Sequence, residues 1–559
     1  MQPNNRSKAQ ESRAAIERIY IIMRHLFIRG NYKPMGVSGH SLVQALLTLS
    51  PEIYGSMADE EHAELDGLLY VMERLPKGIE ECRYINMISR EGLENADFPV
   101  LIPKKRRRNC YRIDDDQMYI ELTRGRSDIY DILTHLTFLY IEAEKIRNKA
   151  LDPKGKKTYA WKRIENLLEK EDSGEEINEE VAFAYLSTLL GRTFDEVEHA
   201  YRKFESGNQN NLLHIVYWLG KLSIDEYRNQ ADRQIAFSST LRERVGHHFY
   251  GEQWADNIKR FLRKHNFLDR PLHIISANLH SVMNVLFAKA ALGKEAKDLD
   301  IASIARMLSK EENNDKQQKV RKYAFANGMT EIPDTSGTNL SVQIIDTAQI
   351  DLDSLPKAIY QHNGNLSHPP VIIVMDYAFG EQAFETMDEL LKPYEKAGQE
   401  RNIRVDSISI MGKAGILSGG KGDIMVPTAH IFEGTADNYP LDNGFSKDDF
   451  DGNGLQVFEG PMITVLGTSL QNRDVLKYFF TSSWQAIGLE MEGAHYQKAI
   501  QSAARIRKSI NEDVKVRYAY YASDNPLVTG ATLASGSLGE EGVWPTYLIT
   551  SKILKSIFI

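Results

Sequence analysis

The stretch Val405-Asp406-Ser407-Ile408-Ser409-Ile410-Met411-Gly412-Lys413-Ala414-Gly415 decides how the C-terminal half is read. It opens as a strand over Val405–Met411, with β-branched residues alternating with polar ones, and runs into two glycines that flank a lysine. Glycines at a strand end let backbone N–H groups approach an anion or a sugar. Gly412 and Gly415 are therefore read as a ligand-facing turn, with Lys413 as its anion-binding cation.

Outward from this stretch, short apolar runs alternate with amphipathic ones from Pro271 onward. Strands are expected at Leu272–Ser276, Val342–Asp346, Val371–Met375, Asp423–Pro427, Met462–Leu466 and Val516–Tyr521. Helices are expected at Val282–Leu292, Glu381–Lys392 and Gly493–Ile506. This alternation predicts an α/β fold, an open and largely parallel sheet with helices on both faces, whose ligands sit at the carboxyl ends of the strands.

Before Pro271 the pattern differs. Ile16, Ile19, Ile22 and Leu26 recur at helical period, Cys110 to Leu122 alternates as a strand or hairpin does, and Ser127 is placed to cap a helix running to about Lys149. Residues 1–150 are read as a mainly helical α+β domain and a candidate for regulation. Residues 151–268 are read as a helical connecting region, and 269–559 as the catalytic domain.

The chain has 559 residues and a net charge of −9, which argues against general nucleic-acid binding. The run Lys104-Lys105-Arg106-Arg107-Arg108 could meet phosphate, although a solvated loop is the simpler reading. Two cysteines, Cys82 and Cys110, make no disulfide framework, and no apolar stretch is long enough to span a bilayer. A cytoplasmic protein without membrane or nucleic-acid partners is expected. Gly415, Gly420 and Lys421 have the spacing of a phosphate-binding loop, but Gly422 stands where Ser or Thr would hold magnesium and a strand follows instead of a helix. No metal and no cofactor is expected.

Two further clusters carry potential chemistry. Glu490-Met491-Glu492-Gly493 lies between an apolar run and a helix, where the Glu492 carboxylate can accept two hydrogen bonds from a vicinal diol. The same carboxylate would also suit the helix N-terminus without any ligand. Ser523-Asp524-Asn525-Pro526-Leu527 closes the strand Val516–Tyr521, where burial can keep Asp524 protonated for use as a general acid. The alternative for Asp524 is an Asx-turn before Pro526.

Taken in order, these segments resemble the nucleoside phosphorylase and nucleosidase superfamily over about residues 270–559. The resemblance is carried by Val371–Met375 with Ala378-Phe379-Gly380-Glu381-Gln382-Ala383, by Gly412-Lys413-Ala414-Gly415, by Gly422-Asp423-Ile424-Met425-Val426, by Glu490-Met491-Glu492-Gly493 and by Ser523-Asp524. Within it, Ser523-Asp524-Asn525-Pro526-Leu527 with Gly530 and Leu533 is most similar to the AMP nucleosidases. The resemblance implies a phosphorylase-type α/β/α sandwich that takes a small-molecule nucleoside or nucleotide and assembles as a homo-oligomer. It implies that Glu492 binds the ribose hydroxyls, Met491 packs on the sugar, Ser523, Gly412 and Gly415 contact the substrate, and Asp524 protonates N7 of a leaving purine.

The chain departs from that pattern in two places. The water-activating Glu expected after the first strand is absent from Ser276-Ala277-Asn278-Leu279-His280-Ser281, leaving His280 as a substitute and Asn278 or Ser281 to hold water. The Arg expected before Ser-Asp is Tyr520, which favours hydrolysis over phosphorolysis. A phosphorylase and a non-catalytic nucleotide sensor stand as the rival readings.

Overall fold

The computed structural model describes residues 7–205, 210–361, 366, 368–396, 398–435, 437–528 and 538–558. The chain divides into two compact units, one of residues 1–247 with 467–475 and one of residues 248–466 with 476–559.

Among the described residues the first unit holds six strands: β1 (Asn31–Tyr32), β2 (Tyr84–Ile88), β3 (Val100–Leu101), β4 (Cys110–Arg112), β5 (Gln117–Glu121) and β6 (Gln234–Phe237). They form one sheet in the order β1-β6-β2-β5-β4-β3. Strand β6 lies within the stretch expected to be wholly helical; Ile235 and Phe237 are buried while their neighbours are less so, a two-residue period too short to stand out in sequence. The opening helix is Lys8–Arg29, capped by Ser7 in a reciprocal box with Gln10 and ended by Gly30 at φ 91°. The helix expected to be capped by Ser127 instead runs Gly125–Ala150, and Ser127 lies inside it.

The basic run is not simply a solvated loop. Lys104 pairs with Glu73, but Arg106 and Arg108 turn inward. Arg106 grips Asp131 through two bonds of 2.9 Å, and Arg108, 3% exposed, reaches Asp128 at 2.7 Å and Asp131 at 2.5 Å. Arg124 also reaches Asp128, at 2.9 Å. The Arg charges beside Asp131 hold its carboxyl well below the usual range in spite of burial. Cys82 and Cys110 are free and buried, and burial pushes both thiols up to about 12.

The second unit contains β7 (Leu272–Ser276), β8 (Met329–Ile332), β9 (Val342–Asp346), β10 (Val371–Met375), β11 (Tyr394–Lys396), β12 (Gln399–Arg401), β13 (Val405–Ile416), β14 (Ile424–Phe432), β15 (Asn438–Pro440), β16 (Val457–Thr464), β17 (Gly488–Glu490) and β18 (Lys515–Asp524). Apart from the β11–β12 pair they form one sheet. Alternate residues enter two different cores. Ile274, Ile373, Ile410, Tyr518 and Tyr520 face one, and Ile275, Ile372, Val374, Met411 and Ala519 face the other. Both faces are thus covered, the arrangement expected of an α/β fold.

The expected open, largely parallel sheet is corrected in two respects. Pairs β7–β10, β7–β13, β13–β18, β14–β16 and β16–β17 are parallel, whereas β8–β9, β9–β10, β13–β17, β14–β15 and β14–β18 are antiparallel. The pairings β13–β18–β14–β16–β17–β13 also close on themselves. The cause is the length of β13, which pairs with β7 near its start and with β17 at Gly415 and Ile416. Among the described residues no helix is long and apolar enough to cross a membrane.

Removing one partner from a buried ion network leaves the others uncompensated. Arg108→Met should therefore destabilise the first unit by about 3–5 kcal/mol in urea unfolding. A loss of about 1 kcal/mol or less, as for a surface pair, would show that Asp128 and Asp131 do not depend on it.

Candidate active site

Strand β7 delivers Asn278 to the start of the helix Leu279–Leu292. Its side-chain oxygen accepts from the N–H groups of His280 at 2.9 Å and Ser281 at 3.2 Å, so Asn278 caps this helix. The Ser281 hydroxyl donates to the Asn278 carbonyl at 2.8 Å. His280 is exposed, and its side chain is not part of the cap.

A cavity of about 400 Å³ opens here, with Asn278, His280, Lys413, Tyr521 and Ser523 in its wall beside Tyr547. Its size is that of a small-molecule site. Gly412, Gly415, Met491, Glu492 and Asp524 are not in this wall. Gly412 and Asp524 directly adjoin wall residues Lys413 and Ser523 in the chain.

The glycine turn is corrected. Gly412 to Gly415 continue β13, in register with β18 from Gly412↔Tyr520 to Gly415↔Asp524, with a shift after Ala414. Gly415 also pairs with Leu489 of β17, and a Cβ there would come within 2.8 Å of the Leu489 side chain. Gly415 thus keeps two strands in close register. At Gly412 the nearest atoms to an added Cβ belong to the rings of Tyr520 and Tyr377, at 3.8 and 3.9 Å, an ordinary contact. The sharp reversal comes later, where Gly419 and Gly422 take φ of 113° and 85°.

Beyond β17 the two acids divide their tasks. Glu490 accepts from the N–H groups of Glu492, at 2.5 Å, and Gly493, and also from the Thr464 hydroxyl. Thr464 in turn accepts from the Ala494 N–H at 3.0 Å. Glu490 is therefore committed to holding the start of the helix Gly493–Gln501. Glu492 accepts from the Gly380 N–H at 2.9 Å. Burial pushes the Glu490 carboxyl up to about 7. Burial, with the Glu490 charge beside it, pushes Glu492 up to about 8, opposed by the N–H groups of Gly380 and Met491 and by the Lys413 charge. Met491 is partly exposed.

Behind them His430 is wholly buried, and burial pushes its imidazole down to about 3, so it is neutral. Its Nε2 lies 3.3 Å from the Tyr520 hydroxyl. Gly493 permits this packing, since a Cβ there would collide with the His430 ring.

Asp524 ends β18 and is 2% exposed. The Ser523 hydroxyl lies 2.5 Å from its carboxyl and 3.1 Å from the Ala414 carbonyl oxygen. The Asx-type turn before Pro526 is made by Asn525, whose oxygen accepts from the Leu527 N–H at 3.0 Å. Gly530 and Leu533 lie outside the described residues.

Sequence reading missed Tyr377. Its hydroxyl meets the Tyr521 hydroxyl and the Asn278 main chain, and its ring approaches Gly412. Its only sequence signal is its place in the loop after β10.

The paired strands with helices on both faces and the cavity at the strand ends define a mixed α/β protein with a pocket of small-molecule size. The chain belongs to a family of unknown function, DUF6909, whose model matches residues 40–299 and 294–559. No curated protein matches it. Similar solved structures include the Campylobacter jejuni 5′-methylthioadenosine/S-adenosyl homocysteine nucleosidase, at 11% identity over 52% of this chain and 99% of that one, with a TM-score of 0.31. Others are the Helicobacter pylori futalosine hydrolase, at 13% identity over 46% and 88% with a TM-score of 0.27, and isoform 2 of Schistosoma mansoni uridine phosphorylase, at 12% over 54% and 90% with a TM-score of 0.31.

The folded chain holds protons on Glu490 and Glu492 to about pH 7 and 8, against an ordinary value of 4.5. Between those limits the folded state binds more protons than the unfolded one, so stability falls as pH rises from about 4.5 toward 8. Glu492→Gln, which mimics the protonated form, should flatten this fall in thermal unfolding at pH 5 and pH 8. Parallel pH dependence in variant and wild type would contradict the raised value.

Proposed function

We propose that the second unit hydrolyses the N-glycosidic bond of a purine nucleoside or nucleotide. The observation that carries this reading is the junction at Gly415. There the strand leading to Glu490–Glu492 and the strand ending in Asp524 both register with one glycine of β13, and Lys413 of β13 and Ser523 of β18 enter the cavity wall.

The chemistry requires a diol acceptor, a proton for the base and a water. Glu492 is the proposed diol acceptor. Two sugar hydroxyls donating to it favour its charged form, so binding would release the proton held up to about pH 8. Asp524 is the proposed acid. The Ser523 hydroxyl lies within hydrogen-bond distance of both the Ala414 carbonyl oxygen and the Asp524 carboxyl, which orients the acid at the strand end. As the bond between C1′ and the base nitrogen breaks, its electron pair passes to the purine and the Asp524 proton goes to N7. Water then bonds to C1′, and His280, in the cavity wall, takes the proton that water loses. Proton delivery that matures as the bond stretches stabilises the transition state above the ground state.

Hydrolysis is favoured over phosphorolysis by charge. Tyr520 stands where an Arg would bind phosphate, its hydroxyl is 3.3 Å from His430, and Lys413 is the sole cation in Gly412–Gly415.

Asp524→Asn should lower kcat on a cleaved nucleoside or nucleotide by about 10²–10⁴-fold with KM little changed. Glu492→Gln should raise KM as well as lower kcat, because sugar contacts exist in both ground and transition states. Near wild-type turnover in a folded Asp524→Asn variant would remove the acid from the mechanism.

A further inference from the structure

A cluster of ionisable groups with mixed oxygen and nitrogen donors lies in the first unit. The short helical turn Ile79–Glu81 follows Gly78, held at φ 83°, and faces the helix Leu212–Asn229, which is capped by Asn211. Glu80 and Glu81 from the turn and His214 from the first turn of the helix converge, one donor atom of each lying within 4.8 Å of the others.

The contacts in this cluster are uneven. Glu81 lies 2.8 Å from His214 Nε2 and 2.6 Å from an Arg112 nitrogen, so it is oriented from two sides. Glu80 is 2% exposed, and its Oε1 accepts from the Asn210 amide nitrogen at 2.6 Å. Its Oε2 is buried without a hydrogen-bond partner. A buried carboxylate oxygen with no donor loses hydration and gains nothing in return. The Asn210 amide also reaches Glu81 Oε1, at 3.2 Å, so one neutral NH₂ stands between two carboxylates where a cation would be better matched. Half a turn of that amide would present an oxygen at the same point.

We propose that Glu80, Glu81 and His214, with Asn210 supplying an amide oxygen, bind a divalent first-row transition cation of the zinc type. Such a cation takes carboxylate oxygen and imidazole nitrogen at about 2.0–2.2 Å, and donor atoms within 4.8 Å of one another are spaced to share one ion. The imidazole selects against magnesium and calcium, which prefer all-oxygen sets. Arg112 acts from outside the donor set by fixing Glu81, as outer partners of metal ligands do. The bound ion would clamp the Ile79–Glu81 turn to the helix Leu212–Asn229 and stabilise the first unit by mass action.

The test is calorimetric titration of the EDTA-treated, dialysed full chain with Zn²⁺. One saturable site per chain is expected, absent from Glu80→Gln and from His214→Gln. Trp218, whose ring centre lies 6.2 Å from that of His214, supplies a local reporter. Co²⁺ should quench wild-type tryptophan fluorescence at the same stoichiometry, and Trp218→Phe should lose most of that quenching while folding normally. Absence of saturable Zn²⁺ binding to the wild type would overturn the site. So would wild-type affinity in a folded His214→Gln variant, or Co²⁺ quenching unchanged by Trp218→Phe. If Glu80→Gln fails to fold, the His214 and Trp218 variants decide the outcome.

Discussion

The second unit depends on one long strand being paired along both edges. β13 takes β7 on its first half, β18 along most of its length, and β17 at Gly415 and Ile416. β17 and the end of β18 meet β13 at Gly415, whereas β7 ends opposite Ile410. Asn278 follows β7, Glu490 ends β17, and Asp524 ends β18. A shorter strand would leave β17 unpaired at that edge, and the ring through β14 and β16 would not close. A side chain at Gly415 would press on Leu489 and move that junction.

The ring also explains the electrostatics. Its inner residues, His430, Tyr518, Tyr520 and Glu490, are buried polar groups in apolar surroundings. Burial favours the neutral form of each, lowering the imidazole and raising the phenols and carboxyl. Glu490 is the best satisfied of these through Thr464 and two backbone N–H groups. Its proximity contributes to the raised value of Glu492. The acid that secures the helix thereby tunes the neighbouring acid proposed to bind the sugar, and Glu490→Gln would alter both functions at once.

Much of the second unit was legible. Leu272–Ser276, Val342–Asp346 and Val371–Met375 are strands with the bounds that their apolar runs suggest, because burial on both faces makes such runs predominantly apolar. The strand at Gly412–Gly415 was hidden because glycine reads as a turn former, whereas here its small size admits close neighbours from β17. The direction of β9 and the closure of the ring depend on pairings distant in sequence, which local periodicity does not encode. In the first unit, Arg106 and Arg108 read as surface charge because their partners, Asp128 and Asp131, lie on another element. The Glu80–Glu81–His214 cluster was hidden for the same reason, with over a hundred residues separating its two halves. Tyr377 carried no motif at all.

The most direct measurement is product analysis of the full chain incubated with a panel of purine nucleosides and nucleotides, with and without inorganic phosphate. Release of free base together with ribose or ribose 5-phosphate, at a rate independent of phosphate, is the predicted result. Sugar 1-phosphate formed only when phosphate is present, or saturable binding with no base released, would contradict hydrolysis at this site.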